Sequence, residues 1–300
     1  MSIKEKFAGF GRIEIPPIIE ELIRNRKASL SLLLLFLLVV VSFAGEAIVP
    51  YDPVQTHPTD AYLGPGAQGP NGPYWLGTDN LGRDLLSRVI VGGQSSLLLG
   101  FSATALSLTF GVPIGLTAGY LKGRVGEILM RLMDIIMSVP VLLLGVLIVV
   151  VLPPSLFNII LGVGIVFVPR IARVTRSATL SVSEEPYVVA AQARGESDLH
   201  ILFSEILPNV AAPIVVEGSV RVGYAILTGT SLSFLGLGTG PPNPDWGYMI
   251  NTARLHIYQT PWFLLWPSIM LLITIMAANL LGDGLRDVLD PRAVSGGEQR

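Results

Sequence analysis

Long apolar runs alternate with short polar segments along this chain. Residues 30–49 form the first run. No charge appears at 89–121, and none at 135–169. Two further runs cover roughly 210–235 and 262–281. A run of about 20 apolar residues matches the thickness of a bilayer as an α-helix. The window 89–121 holds one span, roughly 95–118. Pro153-Pro154 divides 135–169 into two spans joined by a tight turn. The pattern predicts an all-α polytopic membrane protein with six transmembrane helices.

The polar segments set the boundaries. Residues 1–29 carry Lys4, Lys6, Arg12, Arg24, Arg26 and Lys27 and form a cytoplasmic N-terminal segment. A secretory leader also starts with basic residues before an apolar run. The run at 30–49 is long enough to cross the bilayer and ends without a small-residue cleavage site, so it is expected to stay as the first transmembrane helix. Glu46 falls at its outer interface. Residues 50–94, rich in proline and glycine, form an external loop. Its second half has the character of a short interfacial helix, with Thr78 or Asp79 as cap and Arg83, Asp84 and Arg88 on a solvated face. Residues 95–285 form a five-span core, and 286–300 a cytoplasmic tail.

Small residues recur every four positions at Gly111, Gly115 and Gly119. Such ridges let helices pack backbone to backbone in lipid. Lys122, Arg124 and Arg131 follow in a short cytoplasmic loop. Arg170, Arg173 and Arg176 have the spacing of a voltage sensor. There are only three, all at one end, so they mark the cytoplasmic end of the fourth span. On this topology sixteen of the 20 basic residues lie inside and three, Arg83, Arg88 and Arg254, lie outside. Both termini are then cytoplasmic. Arg221 lies within the fifth span, four residues after Glu217. Charges within a membrane are costly, so this couple either lines a cavity or forms a structural ion pair.

Residues 183–209 form the longest polar stretch between spans in the second half of the chain. They read as two short helices joined at a glycine. Ser183 is the expected cap of the first, with Pro186 in its first turn. Tyr187, Ala190, Ala191 and Arg194 follow helical spacing and present small side chains to a neighbouring surface. Gly195 suits the left-handed residue that ends a helix. Ser197 caps the second helix, which carries Leu199, Leu202, Phe203 and Ile206 on one face, and Leu207-Pro208 closes it.

Composition agrees with a membrane protein: 51% of residues are hydrophobic and 14% are charged, against about 25% charged in soluble domains. Mean hydropathy is +0.61. The formal net charge is −2 and there is no cysteine. Disulfides, thiolate metal sites and a cysteine nucleophile are thereby excluded. His57, His200 and His256 lie in three separate segments without metal-ligand spacing. The hairpin holds five acids, Glu184, Glu185, Glu196, Asp198 and Glu205, against Arg194, so it would repel nucleic acid. The glycines after residue 235 follow no strand, and Pro241-Pro242 blocks a helix behind them, which rules out a dinucleotide loop. No lysine precedes Ser or Thr, so there is no phosphate-binding loop and no ATP hydrolysis by the chain itself.

At these residues the hairpin resembles the cytoplasmic loop of permease subunits of binding-protein-dependent ABC importers. That loop has the pattern E-A-A-x-x-x-G, followed nine residues later by I-x-L-P. The matches here are Ala190-Ala191, Gly195 and Leu207-Pro208; Val189 replaces the glutamate and Glu205 the isoleucine. Three further segments are similar to the second-permease type of the dipeptide/oligopeptide branch. They are L-G-T-D-N-L-G-R-D-L-L-S-R at 76–88, S-F-L-G-L-G-T-G-P-P-N-P-D-W-G at 233–247 and G-D-G-L-R-D-V-L-D-P at 282–291.

The resemblance implies a type I ABC importer permease fold in the bacterial inner membrane. It implies a second homologous permease subunit, two cytoplasmic ATPase subunits that use the ATP, and an extracytoplasmic solute-binding protein. The cargo would be peptides, although relatives carry nickel, glutathione or other small solutes. Glu185, Tyr187, Ala190, Ala191, Arg194, Gly195, Leu207 and Pro208 would couple to the ATPase, with the Ala190–Ala191 face deep in its groove. The chain itself would need no cofactor and catalyse no reaction. A stand-alone channel or secondary carrier is the alternative, and an assembly scaffold a third reading. A lone carrier needs ion-coordinating groups within its spans, and Glu217 is the clear intramembrane acid.

Overall fold

The computed structural model describes residue 22 and residues 25–289. Lys4, Lys6, Arg12 and Arg24 of the N-terminal segment, and residues 290–300 of the tail, lie outside the described residues.

Helix α1, Arg26–Phe43, begins at Asn25, whose side chain accepts from the N–H groups of Lys27 and Ala28. A turn at Gly45–Ile48 follows, and the chain enters an outer layer. This layer holds a 3-10 turn at Pro58–Asp60 and a two-stranded antiparallel hairpin of β1, Ala67–Gly69, and β2, Gly72–Tyr74. Ala67 pairs with Tyr74 in its register.

Helix α2, Leu85–Tyr120, is 36 residues long. This corrects the expected interfacial helix. Asp84, not Thr78 or Asp79, is the cap, and it accepts from the Ser87 N–H at 2.8 Å. The interfacial part and the second span are one helix, because Gly92 and Gly93 are close-packed rather than breaking. A Cβ on Gly93 would lie 2.2 Å from Ser42 Oγ. The expected solvated face is also wrong. Arg83, Asp84 and Arg88 are buried, Arg88 to 1% exposure.

The expected loop around Lys122, Arg124 and Arg131 is largely helix α3, Gly123–Met137. Its apolar side, with Gly126, Met130 and Met133, faces the core, and its charges face outward. Helix α4, Val141–Val150, follows after a bend of 85°. Pro140 has no N–H to continue the helix, which accounts for the break. Among the described residues five helices are long and apolar enough to span, and the bent pair makes up to six. The expected third span is therefore a broken one.

Helix α5, Leu156–Val182, is capped by Ser155 and includes Pro169. It lies alongside α2 in the same direction. A Cβ on Gly111 would meet Ile171 Cβ at 2.7 Å, one on Gly115 the Ala172 carbonyl oxygen at 2.5 Å, and one on Gly119 Thr179 Cβ at 2.6 Å. The three glycines thus let the α2 and α5 backbones approach more closely than any side chain permits.

Helix α6, Pro186–Ala193, opens the polar hairpin between spans. Helix α7, Ala211–Leu232, leaves it and ends in a π-turn at Ser233–Leu237. Helix α8, Trp246–Arg254, lies in the outer layer, and helix α9, Pro261–Leu289, closes the described chain.

The outer layer is tied to the spans by polar contacts. Asp79 lies 2.6 Å from Arg83 Nε and 3.5 Å from Arg88 Nε. Arg88 donates to the Pro53 carbonyl at 2.6 Å and the Pro242 carbonyl at 3.4 Å. Trp246 is fully buried and donates from Nε1 to the Val89 carbonyl at 2.8 Å. Asp245 caps α8 through the Tyr248 N–H at 2.9 Å. Burial raises its carboxyl above the usual range, opposed by the N–H groups of Tyr248 and Gly247 and by the Ser233 hydroxyl. Burial also raises the Tyr74 hydroxyl, which donates to Asp60 at 2.8 Å.

The glycine ridge gives a first test. Gly115→Ala forces its Cβ against the Ala172 carbonyl and should destabilise the protein by about 1–3 kcal/mol. Gly145→Ala meets nothing nearer than 3.4 Å and should be tolerated. Thermal unfolding of the purified variants measures both, and equal melting temperatures would contradict the ridge.

Candidate functional site

Two polar features stand out against the apolar fold: the hairpin at 183–209 and a charge cluster within the spans. The hairpin joins the end of α5 to the start of α7. Ser183 does not cap α6 as expected. It ends α5, and its hydroxyl donates to the Leu180 carbonyl at 3.0 Å. Glu185 takes the N-cap position without a side-chain bond, and Pro186 opens the first turn. Gly195 has φ of +77°, the left-handed conformation that glycine adopts without a Cβ penalty. Ser197 caps the second arm through the His200 N–H at 3.4 Å.

The second arm runs through Asp198–His200, a π-turn at Ile201–Ile206 and Leu207–Asn209. The π-turn changes which residues share a face. Ile201, Leu202 and Ile206 are buried, while Leu199 is 68% exposed and Phe203 50% exposed. The expected single apolar face is therefore split.

Ala190 and Ala191 are also split. Ala190 is exposed. Ala191, with Val188, is fully buried against Leu116 of α2 and against Ile201 and Ile206. It faces this chain's own core, which corrects its expected place in a partner's groove. Tyr187, Val189, Arg194 and Gly195 lie on the outer side. Glu185 is exposed beside them, as is Pro208, and Leu207 packs partly against the inner cluster.

The hairpin brings together one grouping absent from the sequence reading of its histidines. Ligand atoms of Glu196, His200 and Glu205 lie within 4.8 Å of one another. Contacts within the hairpin account for much of it: Arg194 pairs with Glu196 Oε1 at 2.6 Å, and His200 Nε2 lies 3.3 Å from Glu196 Oε2.

The second feature centres on Glu217. Arg221 Nε lies 2.9 Å from Glu217 Oε1, on the same face of α7. Arg170, from α5, brings its Nε to 3.5 Å from the same oxygen. Sequence reading gave the first contact by its four-residue spacing and missed the second, which is set by tertiary packing. The Arg221–Glu217 contact is short but misaligned, and neither Glu217 Oε1 nor Arg221 Nε makes a hydrogen bond. The Arg221 guanidinium is held instead by aromatic faces, with Cζ 4.5 Å from the Tyr224 centroid and 5.6 Å from that of Phe167.

Two cavities meet at this cluster. One, of about 720 Å³, is lined by α5, α7 and α9 and includes Arg170, Glu217, Arg221, Asp283 and Arg286. The other, of about 300 Å³, lies beside the α3–α4 bend and shares Arg170, Arg221 and Tyr224. The sequence left open a cavity lining or a structural pair. The geometry gives both at once, an ion cluster between helices that also borders solvent-sized space.

Comparisons with known proteins identify the family and the fold. The family model described as binding-protein-dependent transport system inner membrane component matches residues 111–295. The one described as N-terminal TM domain of oligopeptide transport permease C matches residues 18–65. The chain is 41% identical over 270 residues to the di/tripeptide transport system permease protein DppC of Pseudomonas aeruginosa (strain UCBPP-PA14), covering 89% of each chain. It is 38% identical over 273 residues to the glutathione transport system permease protein GsiD of Pectobacterium atrosepticum, covering 91% of this chain and 89% of that one. Among solved structures, the MetNI methionine ABC transporter in inward-facing conformations is similar in fold. Its TM-score is 0.56 at 16% identity, covering 68% of this chain and 96% of that chain.

The charge cluster makes an ordered prediction. Glu217 serves two cations, so Glu217→Gln leaves two guanidinium groups facing each other. Arg221→Gln leaves Glu217 with Arg170. Glu217→Gln should therefore cost more, about 1–3 kcal/mol, between the values of exposed and buried pairs. Thermal unfolding of the two variants gives the order, and the reverse order would contradict the shared carboxylate.

Proposed function

The chain belongs to the family of binding-protein-dependent transport system inner membrane components, and on that premise we propose that it carries di- or oligopeptides, or a peptide-like solute, inward across the bacterial inner membrane. It is a multi-pass permease of an ATP-driven ABC importer, with a type I importer fold. Relatives named for di/tripeptide and for glutathione transport support the cargo class. On this reading a second, homologous permease completes the pathway. Two cytoplasmic ATPases bind and hydrolyse the ATP, and a solute-binding protein delivers the cargo from outside. Both termini are cytoplasmic, as the distribution of basic residues favours.

The observation that carries the coupling role is the two-sided hairpin. Val188, Ala191, Ile201 and Ile206 fasten it to α2, while Tyr187, Val189, Leu199 and Phe203 are left exposed. Exposed apolar side chains on a polar cytoplasmic element suit the groove of a partner protein. The buried side makes the hairpin a rigid extension of the spans, so displacement at its outer side reaches the helices without being absorbed.

The test separates the two sides. Phe203→Glu and Val189→Glu should leave the spans folded, yet lose co-purifying ATPase subunits and lower uptake at least about tenfold, as a loss of 1.4 kcal/mol in docking would. Ala191→Trp should instead disrupt the hairpin itself, since the site has no free volume. Gly195→Val meets no neighbour but places a β-branched residue at positive φ, at a cost of about 1–2 kcal/mol. Wild-type assembly and uptake in both glutamate variants would remove the hairpin as the coupling element.

A further inference from the structure

Arg170, Glu217 and Arg221 form a cluster with one positive charge in excess. Arg170 is 52% exposed at its side chain, although it sits within a membrane-spanning helix. Charges at such positions face protein or water and commonly mark solute pathways. Here they face the junction of two cavities, whose sizes fall in the range of about 300–1,000 Å³ typical of small-molecule sites.

The two arginines differ in how they are held. Arg221 is fixed over Tyr224, with its Nε left without a hydrogen bond. Arg170 is the more open. A guanidinium offers planar paired donors that match a carboxylate. The surrounding wall is different in kind. Ala212, Pro213, Val216 and Val220 present small or branched apolar surface. That stretch of α7 is apolar, while Asn209, Asp283 and Arg286 line the rest of the cavity.

We infer that Arg170 and Arg221 form a seat for the carboxylate of the transported solute, a specificity determinant within the permease. This rests on the transport reading above. Every linear free peptide ends in a carboxylate, whereas side chains vary, and of the groups peptides share it is the one that a guanidinium pairs with. A cationic pair beside this apolar stretch of α7 binds the carboxylate that these solutes share. Glu217 has a part in it. By neutralising one of the two cations it keeps the seat weak, and a solute in transit must leave as readily as it enters.

The chain has no cysteine of its own, so a single Val216→Cys reports on the cavity. The assembled complex is placed in nanodiscs of phosphatidylcholine. Labelling of this chain by an anionic sulfonatoethyl and a cationic trimethylammonioethyl methanethiosulfonate is followed by mass. Rates are divided by those for free cysteine. The anionic reagent should label about tenfold faster. Arg170→Gln should remove that preference and Arg170→Lys should keep it. Alanyl-alanine should slow labelling, and its C-terminal amide should not.

Equal rates for the two reagents overturn the proposal, as does equal protection by acid and amide. Slowing by phosphatidylglycerol with no effect of the dipeptide would make a lipid headgroup the occupant, and also overturns it. If the wild-type complex imports no alanyl-alanine while the anion preference and acid-only protection hold, the transport reading falls and the carboxylate seat stands.

Discussion

The close approach of α2 to α5 is the contact on which the rest depends. Lipid offers little hydrophobic drive for helix association, so packing and polar contacts must supply it. Gly111, Gly115 and Gly119 remove side chains along one ridge, and α5 fills the space with its own backbone. The next residue after Gly115 is Leu116, which is buried against Val188 and Ala191 of the hairpin. The ridge and the hairpin anchor are thus neighbours on one helix. Loosening the first would release the second.

The hairpin also determines what moves with what. It connects α5 directly to α7, and those two helices carry Arg170 on one side and Glu217 with Arg221 on the other. A tilt imposed at the hairpin therefore changes the spacing of the charges. The misaligned Arg221–Glu217 contact fits such a place. An ion pair with ideal geometry would resist rearrangement, whereas one held partly by aromatic faces has less to lose.

Much of this was legible in the sequence because it is periodic or local. Apolar runs gave the spans, four-residue spacing gave the glycine ridge and the Glu217–Arg221 pair, and Gly195 marked the turn. What escaped depends on distant partners. Arg88 reads as a surface charge until Asp79, Pro53 and Pro242 converge on it. Arg170 reads as a helix end until α7 brings Glu217 alongside. Ala191 and Ala190 are adjacent, and only packing decides which faces inward. The π-turn at Ile201–Ile206 has no periodic signal, so the face of the second arm was misjudged. One clue was available: Asp79 and Arg83 are four apart, the spacing of a pair, in a segment otherwise read as solvated.

Helix α2 begins in the layer where Leu85 and Val89 pack with Trp246 and Met249, and ends beside the 183–209 hairpin. At about 1.5 Å per residue its 36 residues extend about 54 Å, beyond the roughly 40–45 Å of a whole bilayer. One continuous rod therefore has a foot in each aqueous compartment. Thermodynamic linkage across such a rod has no preferred direction. If a protein docked on the outer face favours one inclination of α2, occupancy of the inner face changes its affinity by the same factor. Events at the two ends of α2 then become two readings of one angle.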